Sequence, residues 1–236
     1  MLPFAVVIFI NGLKDFLEDW KRKKSDDEEN ERKIEILNIE TNQFEIKSWK
    51  EVKLGHIIKV NENEYFPADI VLINTHKSKK ENVINDGICY IESKNLDGET
   101  SLKYKQSHKD VSKHYYDDLS IKKIKGRVEC EQPNEFIYEF NAKMYISLED
   151  VHLNIDKNNF ILRGCSLKQT YFIYGLVVYV GHNSKIMKNS PSARAKTSKL
   201  ESIMNIQIII VFLIQFSLSV LGAILYLIWQ KDKTVI

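Results

Sequence analysis

The sequence predicts a mixed, mainly β domain flanked by α-helical segments, the last of which is long enough to cross a membrane. Short runs rich in Ile, Val, Phe and Tyr recur between residues 34 and 180, separated by Asn, Gly and Pro turns. An apolar N-terminal segment is followed by alternating charges, which is typical of a helix that leaves a membrane. Near the other end, the run from Ile203 to Trp229 contains no charge.

Composition narrows the function classes. The 236 residues, 44% of them hydrophobic, suffice for one soluble domain of ordinary size plus membrane segments. The net charge of +2 arises from 34 basic and 32 acidic residues that are interspersed along the chain. No concentrated positive field therefore points to a nucleic-acid partner, and we expect none.

Cysteine and histidine spacing gives no metal or disulfide signature. Cys89, Cys130 and Cys165 are far apart and form no CxxC pair, which suits a reducing compartment such as the cytosol. The six histidines show neither HxxxH nor HExxH spacing. We expect no protein-held transition metal.

The N-terminal elements are predicted to be helical. Residues 1–13 are apolar but too few to span a membrane alone, and they lack the features of a signal peptide, so we expect the end of a membrane helix. From Lys14 to Lys33 the charges alternate in sign, with pairs such as Glu18 and Arg22 at helical spacing. This pattern indicates a solvated helical stalk.

The middle of the chain is predicted to form short strands. They are 34–37, 44–46, 57–60, 69–73, 88–91, 160–162 and 172–180. The polar segment 103–123 is predicted to be irregular or partly helical.

The C-terminal apolar run is predicted to span a membrane. It has 27 uncharged residues, whereas about 20 suffice to cross the hydrocarbon core, so it can span with some tilt. A buried core helix is the alternative. Trp229 lies where an interfacial aromatic residue would, and more basic residues precede the run than follow it. By the positive-inside rule, the β-rich domain faces the cytosol.

The sequence Asp97-Gly98-Glu99-Thr100, called here the DGET loop, would on its own be interpreted as a turn. The neighbouring motifs indicate that this loop has a function beyond that of a turn. In order, they are Trp49, Gly55, Phe66-Pro67-Ala68-Asp69, Cys89-Tyr90-Ile91-Glu92, Asn95-Leu96, Ser101-Leu102-Lys103, Pro133-Asn134, Tyr138-Glu139-Phe140, Leu162-Arg163-Gly164-Cys165-Ser166-Leu167 and Gly181-His182-Asn183-Ser184-Lys185-Ile186-Met187-Lys188-Asn189.

Taken together and ahead of a membrane span, these motifs resemble the actuator region of the type IV P-type ATPases, the phospholipid flippases. The aspartate at the head of the loop favours this branch, since ion pumps usually carry Thr-Gly-Glu-Ser. The resemblance covers nearly the whole chain and implies a distorted, jelly-roll-like β domain between the family's second and third membrane helices. The chain departs from the family pattern at His56, Ser101, Ala142, Gln169 and Val180.

The resemblance implies a catalytic role for Glu99. In the family, an aspartate of another domain takes the γ-phosphoryl group of ATP, and the loop glutamate activates the water that hydrolyses the aspartyl phosphate. Gly98 would let the backbone approach the phosphate without a Cβ clash. Asp97 and Thr100 would shape the loop and form hydrogen bonds near the site.

The resemblance also divides the chain and assigns its partners. We expect a membrane-helix end and stalk over 1–33, the actuator domain over 34–195, a stalk and transmembrane helix over 196–230, and a non-cytosolic tail over 231–236. ATP and Mg²⁺ would belong to the parent enzyme, with no cofactor in this chain. The partners would be the parent's phosphorylation and nucleotide-binding domains and a phospholipid, and an accessory subunit stays open.

The family's phosphorylation motif is not evident in the chain. Asp232-Lys233-Thr234 is followed by Val235 instead of Gly-Thr and lies beyond the span, so we interpret it as coincidence. Without a phosphate-binding glycine loop, the chain is not expected to bind nucleotide or hydrolyse ATP alone.

Two alternatives stay open. One is a non-catalytic, flippase-like membrane scaffold or interaction module, which the departures at His56 and Ser101 would allow. The other is a membrane-anchored β-rich interaction domain in which the loop is merely a turn.

Overall fold

The computed structural model describes residues 2–77, 87–115, 118–146, 152–190 and 199–233. The chain forms two compact units. One consists of Met1–Lys21 with Ser192–Ile236, and the other is Arg22–Pro191. Of the predicted tail 231–236, residues 231–233 belong to the last helix, and residues 234–236 lie outside the described residues.

The helices and strands alternate irregularly along the chain. The helices are α1 (Leu2–Asn30), α2 (Lys94–Asp97), α3 (Lys109–His114), α4 (Asp118–Ile121), α5 (Lys185–Asn189) and α6 (Lys199–Lys233). The first strands are β1 (Lys33–Asn38), β2 (Gln43–Ser48), β3 (Ile57–Asn61), β4 (Asp69–His76), β5 (Ile88–Glu92) and β6 (Lys103–Gln106). The later ones are β7 (Gly126–Cys130), β8 (Asn141–Ile146), β9 (His152–Asp156), β10 (Phe160–Ile161), β11 (Ser166–Lys168) and β12 (Phe172–Tyr179). Short 3₁₀ turns occupy Trp49–Glu51 and Gly181–Asn183.

Three antiparallel sheets make up the β-rich unit. The largest has six strands in the order β10-β4-β12-β3-β1-β2, and two three-stranded sheets have the orders β11-β5-β6 and β7-β8-β9. Strand β12 lies inside the large sheet, where it pairs with both β3 and β4. The neighbouring β4 is so close to Gly175 that a Cβ there would force the Ile70 side chain to shift.

The large sheet is covered on both faces, which explains the continuous apolar run of residues 70–73 in β4. Ile70 and Leu72 pack with the β11-β5-β6 sheet in one cluster, beside Ile91. Val71 and Ile73, one residue out of phase, pack in a second cluster with Met144 of β8 and Val111 of α3. Successive residues of a strand face opposite sides, so a strand covered on both faces has no solvent-exposed polar face.

The structure confirms the predicted β-rich class and the predicted strands, but it contains more strands than the sequence indicated. The prediction for 103–123 was wrong at its start, because Lys103–Gln106 forms β6 and pairs with β5. The partly helical prediction holds for the rest of that segment, where α3 and α4 lie. Strands β7, β8, β9 and β11 were also missed.

Helix α6 contains the predicted span. Within residues 203–230, an 18-residue stretch reaches a mean hydropathy of 2.7, and this is the one helix in the described part of the chain that is long and apolar enough to cross a membrane. Its large apolar side chains are exposed, as are Ile8 and Phe9 of α1. Such a surface is unfavourable in water and favourable in lipid.

Candidate functional site

The DGET loop connects the short helix α2 to the edge strand β6. Gly98 ends α2 in a left-handed conformation with φ of 75°, and its N–H donates to the Lys94 carbonyl oxygen at 3.1 Å. Glycine adopts this conformation with little strain, which makes it the usual residue at a helix C-terminus. A Cβ at Gly98 would meet no atom within 4 Å, so that side of the loop is open.

The Asp97 carboxylate lies at the centre of the loop's hydrogen bonds. It accepts from Lys103 Nζ, from Ser93 Oγ at 2.9 Å and from the Glu99 N–H at 2.9 Å. These donors, the Lys103 ammonium first, lower the pKa of Asp97 to about 2. Asp97 is therefore ionised at neutral pH and fixes the backbone on both sides of Gly98.

Glu99 points outwards from the loop. Its side chain is 57% exposed, and its Oε2 lies 3.0 Å from Lys103 Nζ. Since Lys103 also contacts Asp97, one ammonium bridges the two carboxylates and offsets their mutual repulsion. The two carboxylates in turn raise the pKa of Lys103. Thr100 is exposed as well.

Sequence reasoning had not singled out Lys103 as a site residue. A signal was present, because Glu99 and Lys103 are four residues apart. That spacing usually indicates an ion pair on a helix, whereas this pair lies on a loop that leads into a strand. The structure thus brings Asp97, Gly98 and Glu99 together around a cation that the prediction omitted.

A second polar cluster is buried around the start of β4. Asp69, at the start of β4, is fully buried and accepts from the backbone N–H groups of Arg163 and Lys185, each at 2.7 Å. Burial raises its pKa to about 6, although the two N–H donors oppose this change. A single carboxylate therefore joins β4 to two distant segments of the chain.

Lys185 continues this cluster on the other side. Its side chain is fully buried, and Nζ donates to Glu131 Oε1 at 3.0 Å, Asn134 Oδ1 at 2.6 Å and the Phe136 carbonyl oxygen at 3.1 Å. All three ammonium protons thus have an acceptor, as a buried lysine requires. Lys185 thus anchors the loop 131–136, together with the Tyr179 hydroxyl, which donates to the Glu131 carbonyl oxygen at 2.6 Å.

Arg163 extends the cluster towards the end of α1. Its guanidinium lies 3.1 Å from Glu29 Oε1, while its backbone N–H bonds to Asp69. Both residues lie in the β-rich unit. Arg163 therefore links the last turns of α1 to the Asp69 cluster.

The chemistry available at the DGET loop is that of an exposed carboxylate. Glu99 can accept a proton from water or another donor that reaches the open side of the loop. In the part of the chain that the structure describes, no three His, Cys, Asp or Glu side chains are grouped so that they could hold a metal ion.

The sequence relatives of the chain are large transport proteins. Probable phospholipid-transporting ATPase 12 of Arabidopsis thaliana is 36% identical over 232 residues, which is 98% of this chain and 19% of the relative. Phospholipid-transporting ATPase IC of Homo sapiens is 33% identical over 98% of this chain and 18% of the relative. Phospholipid-transporting ATPase DRS2 of Saccharomyces cerevisiae is 35% identical over 93% of this chain and 15% of the relative.

Two further comparisons add little. No family model matches the chain. A zinc-transporting PIB-type ATPase, solved in its E2.Pi state, matches 69% of this chain and 18% of its own, with 10% identity and a TM-score of 0.36. That likeness is too low to carry weight beside the sequence identities.

These identities make the chain a homologue of one segment of the P-type transport ATPases. Within that class it belongs with the type IV branch, the phospholipid-transporting ATPases. The chain spans about a fifth of the length of the relatives that it matches.

Proposed function

We propose that the chain is the actuator segment of an ATP-driven phospholipid flippase, and that Glu99 promotes hydrolysis of an aspartyl phosphate carried by another domain. The observation that carries the proposal is the geometry of Glu99. Its carboxylate is exposed, is held by Lys103 and follows a glycine whose outer side is open. A residue that must meet a phosphate on another domain needs this combination of access and fixed position.

In the proposed reaction, a water oxygen attacks the phosphorus atom and the bond from phosphorus to the aspartate oxygen breaks. Glu99 takes the water's proton, and the products are inorganic phosphate and a free aspartate. Asp97 accepts hydrogen bonds from Ser93 and the Glu99 N–H, and thereby fixes the backbone that carries the base. In this proposal the aspartyl phosphate is carried by another domain, so Glu99 acts only in the assembled pump.

In our proposal, the other domains of the parent pump lie outside this chain. The phosphorylation and nucleotide-binding domains of the parent pump would supply the aspartate, ATP and Mg²⁺. The α1 and α6 helices would transmit motion of the β-rich domain to the path of a phospholipid, and an accessory subunit is compatible with this arrangement. The excess of basic residues before the span supports a cytosolic position for the domain.

A chimera tests the proposal. This chain replaces the 35% identical segment of the yeast DRS2 protein, and ATP-dependent phospholipid transport is measured in reconstituted vesicles. We expect transport by the chimera that carries Glu99 and its loss in Glu99→Gln. The matched control is Glu62→Gln, an exposed glutamate outside the loop, which should leave transport unchanged.

The chimera also separates this proposal from the scaffold alternative. A scaffold would allow assembly and membrane insertion in both variants, without transport in either. If the Glu99→Gln chimera transports as well as the parent chimera, Glu99 is not the base and the proposal is wrong.

A further inference from the structure

A cavity of about 700 Å³ lies in the β-rich unit, away from the DGET loop. Its floor includes Leu37 of β1, Ile57 of β3 and Leu176 of β12, all from the large sheet. Val128 of β7 and Met144 of β8 form the facing wall. These residues all belong to one hydrophobic cluster, so the cavity lies beside the place where the two sheets pack. Its volume falls in the range of small-molecule sites.

The lining of the cavity has an apolar part and a positively charged part. The floor and walls are aliphatic, whereas Lys122, Lys125 and Arg127 stand at the rim together with His56. No Asp or Glu occurs among the lining residues that the structure describes. Burial lowers the pKa of His56, and the charges of nearby Lys47 and Lys53 act in the same direction.

The rim cations are accessible to a ligand. Lys125 and Arg127 are both exposed. Arg127 lies 4.5 Å from the centre of the Tyr145 ring and 3.1 Å from Glu129, an exposed ion pair of the kind that exchanges readily with other anions. A guanidinium held over a ring is well placed to bind a carboxylate or a phosphate in bidentate fashion.

We infer that this cavity binds an anionic amphiphile with a single alkyl chain, its carboxylate or phosphate headgroup at Lys125 and Arg127 and its chain against the floor. A nucleotide fits the lining less well. Besides the three cations, the polar side chains of the lining are Asn42, His56 and Tyr145, whose hydroxyl already donates to Glu129 Oε2 at 3.2 Å. These are too few to satisfy a base and a ribose. The aliphatic floor instead matches a hydrocarbon chain, whose transfer from water is favourable.

The test uses the whole chain in nanodiscs of phosphatidylcholine, titrated with decyl phosphate, decanoate or uncharged decanol. The reporter is the ¹³C-methyl signal of Met144, which lines the cavity. Met204 of α6 reports amphiphile that merely enters the disc. We expect saturable shifts of Met144 with both anions and binding of decanol weaker by about tenfold or more, because decanol lacks the charge-assisted contacts.

Variants locate the headgroup and the chain. The double variant Lys125→Gln/Arg127→Gln should weaken binding of the anions about tenfold, while Lys143→Gln, an exposed lysine of β8 outside the lining, should not change it. Leu176→Trp fills the cavity and should abolish the Met144 shift, and a thermal unfolding curve checks that each variant is folded. Equal binding of decanol, a shift of Met204 alone, an unaffected double variant, or tighter binding of ATP would overturn the inference.

Discussion

The ammonium of Lys103 lies 3.0 Å from Glu99 Oε2 and also contacts the carboxylate of Asp97. This bridge explains how two acidic residues can stand on either side of one glycine without repelling each other. It also restrains Glu99 while leaving more than half of its side chain exposed, 57% by accessible area. Lys103 is therefore the positioning residue of the loop, and it is open to direct tests.

Lys103→Met should raise the pKa of Asp97 from about 2 towards its ordinary value of 3.8, because the strongest donor to the carboxylate is lost. The carboxyl ¹³C chemical shift of Asp97, followed against pH, measures this change. Lys143→Met on β8 is the matched control and should leave the pKa of Asp97 where it is. An unchanged Asp97 titration in Lys103→Met would show that the bridge does not form in solution.

The same low pKa of Asp97 sets a pH dependence of stability. The folded chain binds this proton less tightly than the unfolded chain, so the carboxylate contributes stability above about pH 4. That contribution is lost as the pH falls towards the folded pKa of about 2. Asp97→Asn should flatten this acid limb of the unfolding curve, as measured by urea titration between pH 2 and pH 5.

Asp69 should give the free energy of unfolding the opposite dependence on pH, at higher pH values. Its folded pKa of about 6 lies above the ordinary 3.8, so the folded chain binds the proton more tightly and the free energy of unfolding falls as the pH rises between these values. Asp69→Asn should remove this slope. At pH 7 two effects of this substitution oppose each other: one backbone N–H loses its buried acceptor, which costs about 1–3 kcal/mol, and the destabilising buried charge is removed. A variant that keeps the slope would assign the titration to another group.

Two glycines should respond to alanine for different reasons. Gly98→Ala should destabilise the β-rich unit by about 1 kcal/mol, since its φ of 75° strains any L-residue although the space for a Cβ is free.

Gly175→Ala should cost about 1–3 kcal/mol, because its Cβ would collide with Ile70. Urea unfolding followed by Trp49 fluorescence, with Trp20 and Trp229 replaced by Phe, gives both values. If Gly98→Ala is neutral, the loop does not keep this conformation.

Gln169 offers a stabilising substitution. It has a φ of 48° between β11 and β12, in the left-handed region that asparagine tolerates better than glutamine. Gln169→Asn should raise the free energy of unfolding by a few tenths of a kcal/mol up to about 1 kcal/mol. Gln43→Asn, on a strand, is the control and should give no such gain. The same urea titration decides between them.

Strands were predictable from sequence where burial on both sides left a continuous apolar run. In β4 and β12, covered on both faces, aliphatic residues follow one another and the signal is strong. The missed β6 reads Lys-Tyr-Lys-Gln and lies at the edge of its sheet, where it is held by backbone hydrogen bonds to β5. Such a strand carries too little apolar pattern to be detected.

The site was predictable in part for a similar reason. Asp97, Gly98, Glu99 and Thr100 are adjacent in sequence, so a motif could identify them, and the nearby Lys103 was within reach of the same argument. The Asp69 cluster was not, since its partners Arg163 and Lys185 are about a hundred residues away in sequence. Contacts of that range depend on the arrangement of the sheets, which no local spacing encodes.

The most direct test of the central claim is the decay of the phosphoenzyme in the chimeric pump. The chimera is labelled with [γ-³²P]ATP, chased with unlabelled ATP, and the remaining acid-stable phosphoprotein is followed over time. The proposal predicts rapid decay with Glu99, and decay slowed by about a hundredfold or more in Glu99→Gln, as expected when a general base is lost. Equal decay rates in the two proteins would contradict the claim that Glu99 activates the water.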